Sequence, residues 1–207
     1  MSHYICIAIP GRVGSLESLM ERYDENREVD PHMEPCYCRR ARHRELIKAQ
    51  LDSKFGEGYI DKLQREFPRD GTQEEWKQVS GEYFRESDQL ESAVQLPEAN
   101  PECEDCNGSG ECETTANPDA KWDWFQIGGR WSGEFGGKNI TTVREIVACG
   151  KIPFAIVTPN GWFERGSMGW FGCVLEEKPQ SEWESEARRI LESLDPDATA
   201  IVLDCHI

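Results

Sequence analysis

The segment from residue 88 to residue 120 constrains the fold most, because its composition favours neither a long helix nor a strand. From Glu82 to Glu113 the chain carries ten acidic residues and a single base, Arg85, and prolines follow at positions 97 and 101. An irregular stretch of this length inside a compact domain usually needs something to hold it together. We therefore expect a cross-link within it, and its cysteines are the candidates.

Two cysteines of this segment have the spacing of a metal-binding motif. Residues 103–110 are Cys-Glu-Asp-Cys-Asn-Gly-Ser-Gly, in which the glycines let backbone amides turn toward two thiolates. This octapeptide resembles one zinc knuckle of the DnaJ-type chaperones, which use such motifs in pairs. The one other closely spaced cysteine pair supplies the missing ligands, so we predict a structural zinc bound by Cys36, Cys38, Cys103 and Cys106. Cys112 and His43 are the substitutes, and a set of free cysteines is the alternative.

The cysteine count also indicates the compartment. The chain has nine cysteines, an odd number, and its first residues lack the basic flank and cleavage site of a signal peptide. A disulfide framework is therefore not expected, and no apolar run approaches the roughly 20 residues that span a bilayer. We expect a cytoplasmic protein without a membrane segment. The scattered cysteines are expected to be small core residues: Cys6, Cys149, Cys173 and Cys205.

The net charge of −16 limits the partners. An acidic surface repels phosphate backbones, so general nucleic-acid binding is disfavoured. The same charge suits a solvated face that keeps the protein soluble, or a mimic that engages a basic protein surface. The basic cluster at residues 39–44 could contact phosphate or pair with the acidic segment of the chain itself.

The distribution of apolar residues predicts an α+β fold, with helices packed on one face of a mainly antiparallel sheet and a small zinc-knuckle insertion. We expect one domain over residues 1–207, in which 1–34 and 121–207 form the sheet core and 35–120 form the helical insertion. The terminal strands are rich in Ile, Val and Cys and suit central positions. The predicted strands are 3–9, 152–158, 162–166, 170–174 and 198–207; the predicted helices are 14–23, 39–54, 58–66, 73–87, 141–150 and 177–194.

Residues 121–131 form a tryptophan-rich segment, Lys-Trp-Asp-Trp-Phe-Gln-Ile-Gly-Gly-Arg-Trp. In a strand, alternation would put two indoles on one face and Asp123, Phe125 and Ile127 on the other. One interpretation is a core strand that ends in a glycine turn, with the arginine paired to an acid. The other is a ligand platform with aromatic walls and a fixed guanidinium, formed by Trp122, Trp124, Arg130 and Trp131.

Five stretches of the chain carry a resemblance: Met-Ser-His-Tyr at the start, Tyr23–Asn26, Lys121–Trp131, Gly166–Gly172 and the ending Asp204–Ile207. Together they resemble a family of uncharacterised proteins found in bacteriophages, prophages and some bacterial genomes. The resemblance covers both ends and most of the second half, and residues 40–100 match poorly. It implies a phage-type accessory protein and carries no assigned activity.

Two histidines stand at the outer ends of the terminal strands. If these strands are antiparallel neighbours, His3 and His206 meet at one edge close to Asp204 or Cys205. Adding Asp123 or Glu164 from neighbouring strands would give a metal or acid–base cluster.

Two functions of different class follow. The first is an accessory protein that binds a host protein or a small ligand without catalysis. The second is a small metal- or histidine-dependent hydrolase or nuclease acting on nucleotides, with candidate catalytic residues His3, Asp123, Arg130 and His206. The second function predicts either an exchangeable metal distinct from the knuckle zinc or two histidines that address a common point.

Overall fold

The computed structural model describes residues 2–11, 14–68, 70–168, 174–175 and 177–207. The chain divides into two compact units: unit 1 comprises Met1–Asp30 and Thr115–Ile207, and unit 2 comprises Pro31–Thr114. Unit 1 contains β1 (His3–Ala8), α1 (Leu16–Glu21), β4 (Trp124–Ile127), β5 (Ile140–Thr142), α5 (Val143–Cys149), β6 (Ala155–Thr158), β7 (Gly161–Glu164), β8 (Ser167–Met168), β9 (Val174–Leu175), α6 (Gln180–Glu192) and β10 (Thr199–His206). Unit 2 contains β2 (His32–Pro35), α2 (Tyr37–Phe55), α3 (Tyr59–Glu66), α4 (Gln73–Ala93) and β3 (Glu111–Thr114).

Unit 1 is built on a six-stranded sheet in the order β4-β10-β1-β6-β7, with β5 also paired to β10. The β1–β6 pair is parallel and the other pairs are antiparallel. The two terminal strands are central neighbours, in a register that sets His3 opposite His206. The predicted α+β class with a mainly antiparallel sheet is therefore confirmed.

Helices cover both faces of this sheet, and not one face as the sequence suggested. Alternate residues of β1 point to opposite sides. Tyr4, Cys6 and Ala8 pack in a cluster with α1, whereas Ile7 and Ile9 pack in a second cluster with α5 and α6. This burial on both sides explains the uninterrupted apolar run of β1. A strand buried on both faces does not alternate between apolar and polar residues.

Local signals fix several element boundaries. Thr72 and Glu75 form a reciprocal capping box at the start of α4, as predicted, and Thr142 and Glu145 form another at α5. Helix α5 ends at Gly150, whose φ of 71° lies in the left-handed region. The predicted hairpin connects β6 to β7.

Unit 2 consists of three helices and one short antiparallel ribbon. Helix α2 buries His43, Ile47 and Leu51, and an aromatic group joins Phe55, Tyr59 and Tyr83. The ribbon pairs β2 with β3 and was not predicted. Helix α4 runs six residues past its predicted end at residue 87, so the irregular segment is shorter than expected.

Part of the predicted strand at 170–174 lies outside the described residues. Val174 belongs to β9, which pairs with β8 in a separate two-stranded sheet. Of the scattered cysteines, Cys6 and Cys205 are core residues and Cys149 is partly buried against the second cluster; Cys173 lies outside the described residues. Within the described residues, no helix combines the length and apolar character needed to cross a lipid bilayer.

Candidate functional site

Four cysteine sulfurs from two distant parts of unit 2 converge on one point. The Sγ atom of Cys36 lies 3.7 Å from that of Cys103, and the Sγ atom of Cys38 lies 3.8 Å from that of Cys106. All four sulfurs lie within 4.8 Å of one another. Cys36 and Cys106 are buried, and the other two are partly buried. The cysteines predicted as ligands are those that the fold gathers, close enough together to bind one metal ion.

The backbone explains how the two pairs meet. Cys36 immediately precedes α2 and Cys38 lies in its first turn, where the positive end of the helix dipole offsets thiolate charge. The second pair sits on a tight turn in which Asn107 and Gly110 have positive φ angles of 49° and 81°. The Gly110 carbonyl accepts a hydrogen bond of 2.9 Å from the Cys36 backbone N–H, which joins this turn to the start of α2. A Cβ at Gly110 would lie 2.8 Å from Cδ of Arg39, so this position requires glycine.

The sulfur geometry suits a metal and not disulfides. A disulfide needs an S–S distance of about 2.05 Å. A tetrahedral ion with Zn–S bonds of about 2.3 Å holds its sulfurs about 3.8 Å apart. Burial opposes ionisation of Cys106, yet hydrogen bonds from the Gly110 backbone N–H and neighbouring thiols lower its pKa to about 7. The Cys38 backbone N–H acts to lower the pKa of Cys36, but burial and the hydrogen bonds with Cys112 and Cys106 raise it to about 11.

Each of the two substitute ligands has a partner outside the four-sulfur group. The Cys112 thiol is directed at the carbonyl of Asp105, with an S···O distance of 3.7 Å. The Nε2 atom of His43 lies 2.7 Å from the Val94 carbonyl, where the ring is buried between helices. Neither residue belongs to the four-sulfur group.

A second cluster of titratable side chains lies at the end of the unit 1 sheet. The ring centroids of His3 and His206 are 4.9 Å apart, with an edge-on arrangement. The indole of Trp124 stacks on His206 at 5.2 Å and 17°. The three rings come from β1, β10 and β4, which are adjacent strands, so the sheet register alone brings them together.

Each histidine is oriented by a carboxylate. His3 Nδ1 lies 2.9 Å from Oδ1 of Asp204, and His206 Nδ1 lies 2.7 Å from Oδ1 of Asp123. In a neutral ring this arrangement puts the proton on Nδ1 and leaves the lone pair on Nε2. The Nε2 atom of His206 is buried, and it has no hydrogen-bond partner among the described residues. A buried acceptor without a partner costs about 1–3 kcal/mol.

Other parts of unit 1 hold the Asp204 carboxylate and the backbone of Asp123. The second oxygen of Asp204 accepts a 3.0 Å hydrogen bond from the Arg130 backbone N–H. A Cβ at Gly129 would lie 2.5 Å from Asp204 atoms, so glycine lets this turn approach the carboxylate. The Asn26 side chain donates to the Asp123 carbonyl at 2.9 Å and its own turn is closed by Asp24. These supports were not predicted, although the sequence carries two signals for them, the Gly-Gly pair and the Asp-x-Asn turn.

The tryptophan-rich segment does not form the predicted platform. Strand β4 begins only at Trp124, and Trp122 is buried in the cluster with α1, where its Nε1 donates to the Met20 carbonyl at 3.3 Å. Trp131 packs against the cluster on the opposite face of the sheet. The sheet therefore separates Trp122 from Trp131. The predicted shared face of Trp122 and Trp124 also fails, because Trp122 precedes β4 and strand alternation does not apply to it.

Two residues predicted for a site remain, Arg130 and Glu164. Arg130 is exposed, and no carboxylate pairs with its guanidinium in the part of the chain that the structure describes. Glu164 does not join the histidines, since it accepts from Lys121 Nζ at 2.7 Å and from Trp162 Nε1 at 2.8 Å. Among the described residues, the one group of three or more side chains placed to hold a metal ion is the four cysteines.

Comparison of the chain with protein-family models, with curated proteins and with solved structures finds no match in any of the three.

Proposed function

We propose that unit 2 is a structural zinc module and that unit 1 hydrolyses a small phosphate ester of the nucleotide class at its paired histidines. The observation that carries the second part is the buried, unpartnered Nε2 of His206 beside His3. The resemblance to phage and prophage proteins adds a proposal about origin, an accessory protein that acts in the cytoplasm.

The choice of zinc rests on the donor set of unit 2. Thiolates are soft ligands, and four of them with edges of 3.7 Å and 3.8 Å suit a tetrahedral site. Four protein ligands leave no position for water or substrate, so Cys36, Cys38, Cys103 and Cys106 would hold a metal that stabilises and does not catalyse. Metal analysis of protein purified without chelator should find about one zinc per chain, and the double change Cys103→Ser, Cys106→Ser should abolish it.

The proposed reaction assigns one role to each histidine. His206 Nε2 takes a proton from a water molecule, whose oxygen forms a bond to phosphorus. His3, in its protonated form, gives the proton on its own Nε2 to the leaving oxygen as the P–O ester bond breaks. Asp123 and Asp204 orient the two rings, and the exposed guanidinium of Arg130 binds the phosphate.

The test is an assay with the p-nitrophenyl ester of a nucleoside monophosphate. We expect His206→Asn and His3→Asn each to lower kcat roughly 100- to 10,000-fold, as loss of a general acid or base does. His32→Asn is the matched control, because His32 pairs with Glu34 in unit 2. Wild-type protein that releases no p-nitrophenol, or a His206→Asn variant with undiminished kcat, would refute the hydrolase proposal.

A second candidate is a binding protein without catalysis, which engages a host protein or small ligand. The exposed ring of Trp124, which is 42% accessible although it stacks on His206, favours this candidate, as does the acidic charge. Exposed aromatic rings next to arginine are typical binding anchors. If Trp124→Ala with Arg130→Ala stays folded and still captures every partner of the wild type, this candidate fails.

A further inference from the structure

A groove of about 370 Å³ opens on unit 1, on the same face of the sheet as the histidine cluster. Ile5, Phe135 and Ile152 form its apolar part. Ile5 follows His3 by two residues along β1, so the two side chains share one face about 7 Å apart. Trp131 also lines the groove and directly follows Arg130, whose N–H holds Asp204. The groove therefore adjoins the site proposed for the phosphate.

One residue that lines the groove carries a buried hydrogen-bond donor that lacks an acceptor. Trp131 Nε1 is buried, and no described residue accepts its proton. Trp183 and Trp162, by contrast, donate to the Pro153 carbonyl and to Glu164 at 2.8 Å each. Indole N–H groups in protein interiors normally find a partner, so a ligand atom is the expected acceptor here.

The charged groups at the rim disfavour an anion in the groove itself. Lys151 is already paired with the carboxylate of Glu134. Gln180 donates to one oxygen of Glu184 at 2.8 Å, and the second oxygen has no partner among the described residues. The groove thus offers one donor, one acidic acceptor and apolar walls, which suits a neutral flat ring that carries both an acceptor and an N–H.

We propose that this groove binds the base of a nucleotide whose phosphate lies at His3, His206 and Arg130. A ring oxygen or nitrogen of the base accepts from Trp131 Nε1, and an N–H of the base donates to Glu184. This proposal extends the proposed function by naming the part of the substrate that gives specificity. A volume of about 370 Å³ is at the small end of the range for small-molecule sites, as a single base with its sugar requires.

Binding of nucleosides, which lack the phosphate, tests the groove alone. Adenosine, cytidine and uridine would be titrated while the indole N–H resonances are followed by NMR, with the Trp131 signal assigned from Trp131→Phe. We expect at least one nucleoside to shift that signal, and Trp131→Phe to weaken its binding about three- to tenfold, the effect of losing one hydrogen bond. Glu184→Gln should weaken it further, whereas Trp76→Phe in unit 2 should leave it unchanged.

The outcomes separate this inference from the hydrolase proposal. Nucleoside binding that depends on Trp131 but comes without hydrolysis would keep the groove and remove the catalytic role. Hydrolysis that requires His206 while all three nucleosides leave the Trp131 signal unmoved at millimolar concentration would overturn the groove. Equal affinity of wild type and Trp131→Phe would overturn it as well.

Discussion

The two units bury very different side chains. In the described residues, the largest fully buried side chains all belong to unit 1, among them Trp183, Ile7 and Leu191. Among the residues of unit 2 whose side chains the structure describes, the buried apolar ones are two aliphatic side chains, Ile47 and Leu51, and two thiols of the cysteine cluster. Unit 1 therefore has an apolar core on each face of its sheet, and unit 2 has little apolar surface to remove from water.

The two units therefore depend on different stabilising interactions. Small units that lack an extensive core usually rely on a metal, on disulfides or on assembly. The sulfur distances do not match disulfides in the cysteine cluster, so we expect a bound metal to be what stabilises unit 2. Unit 1 should keep its fold when the metal is removed.

The largest expected effect is the loss of unit 2 structure on metal removal. Zinc binding to such sites contributes about 10 kcal/mol, comparable to the whole stability of a small domain. A strong chelator, or the double change Cys103→Ser with Cys106→Ser, should abolish amide-exchange protection in α2 and α4 while β1 and β10 keep theirs. Cys112→Ser with Cys149→Ser is the control and should retain the metal. If the amides of α2 and α4 stay protected in metal-free protein, unit 2 does not depend on the metal and the contrast with unit 1 is wrong.

A core truncation in unit 1 should have the next largest effect on stability. Leu191 is 2% exposed and packs between α6 and the sheet, so Leu191→Ala leaves a cavity and should lower the free energy of unfolding by about 2–5 kcal/mol. Chemical denaturation followed by near-ultraviolet circular dichroism measures this. The control is Leu46→Ala on α2, an exposed leucine, which should change little. An effect of Leu191→Ala below that of Leu46→Ala would show that unit 1 does not rest on this core.

A smaller effect is expected where unit 1 holds its histidines. Gly129→Ala brings a Cβ against Asp204 at a φ of 47°, so it should cost about 1–3 kcal/mol and break the hydrogen bond to His3. Imidazole NMR signals would report that loss. Gly133→Ala is the matched control, because its φ is 80° but its Cβ would meet nothing closer than 3.9 Å. If both variants perturb His3 equally, the close approach at Gly129 has no special role.

The smallest effects concern the two capping boxes, one in each unit. Thr72→Ala and Thr142→Ala should each cost about 1 kcal/mol, and each should act on its own unit in amide exchange. Glu145 has its pKa lowered first by the Thr141 hydroxyl, and Glu75 by the Thr72 backbone N–H. Because both pKa values are lowered, the two glutamates contribute fully to stability above the ordinary glutamate pKa. These contributions to stability disappear as the pH falls through the pKa of each glutamate in the folded protein. Stability of either cap that rises on acidification would contradict this sign.

The cysteine and histidine clusters could be predicted from the sequence better than the ribbon and the tryptophan-rich segment. The cysteine spacing identified the four sulfurs from ligand chemistry. The meeting of His3 and His206 was expected on the condition that the terminal strands are antiparallel neighbours, and the register of β1 and β10 meets that condition. The ribbon of β2 and β3 escaped prediction because its strands contain acids and a proline, and it exists through backbone pairing across the insertion. The aromatic platform failed because β4 begins only at Trp124, so strand alternation does not set the direction of Trp122.

The pairing of β1 with β10 also bears on folding rate. These strands come from opposite ends of the chain, and closing so long a loop is slow because its entropy is lost before contacts form. The ribbon pairs His32 with Thr114, so once unit 2 has formed, the chain between the two halves of unit 1 is effectively short. Metal supply during synthesis should then speed formation of the sheet, even though the sheet itself binds no metal in this scheme.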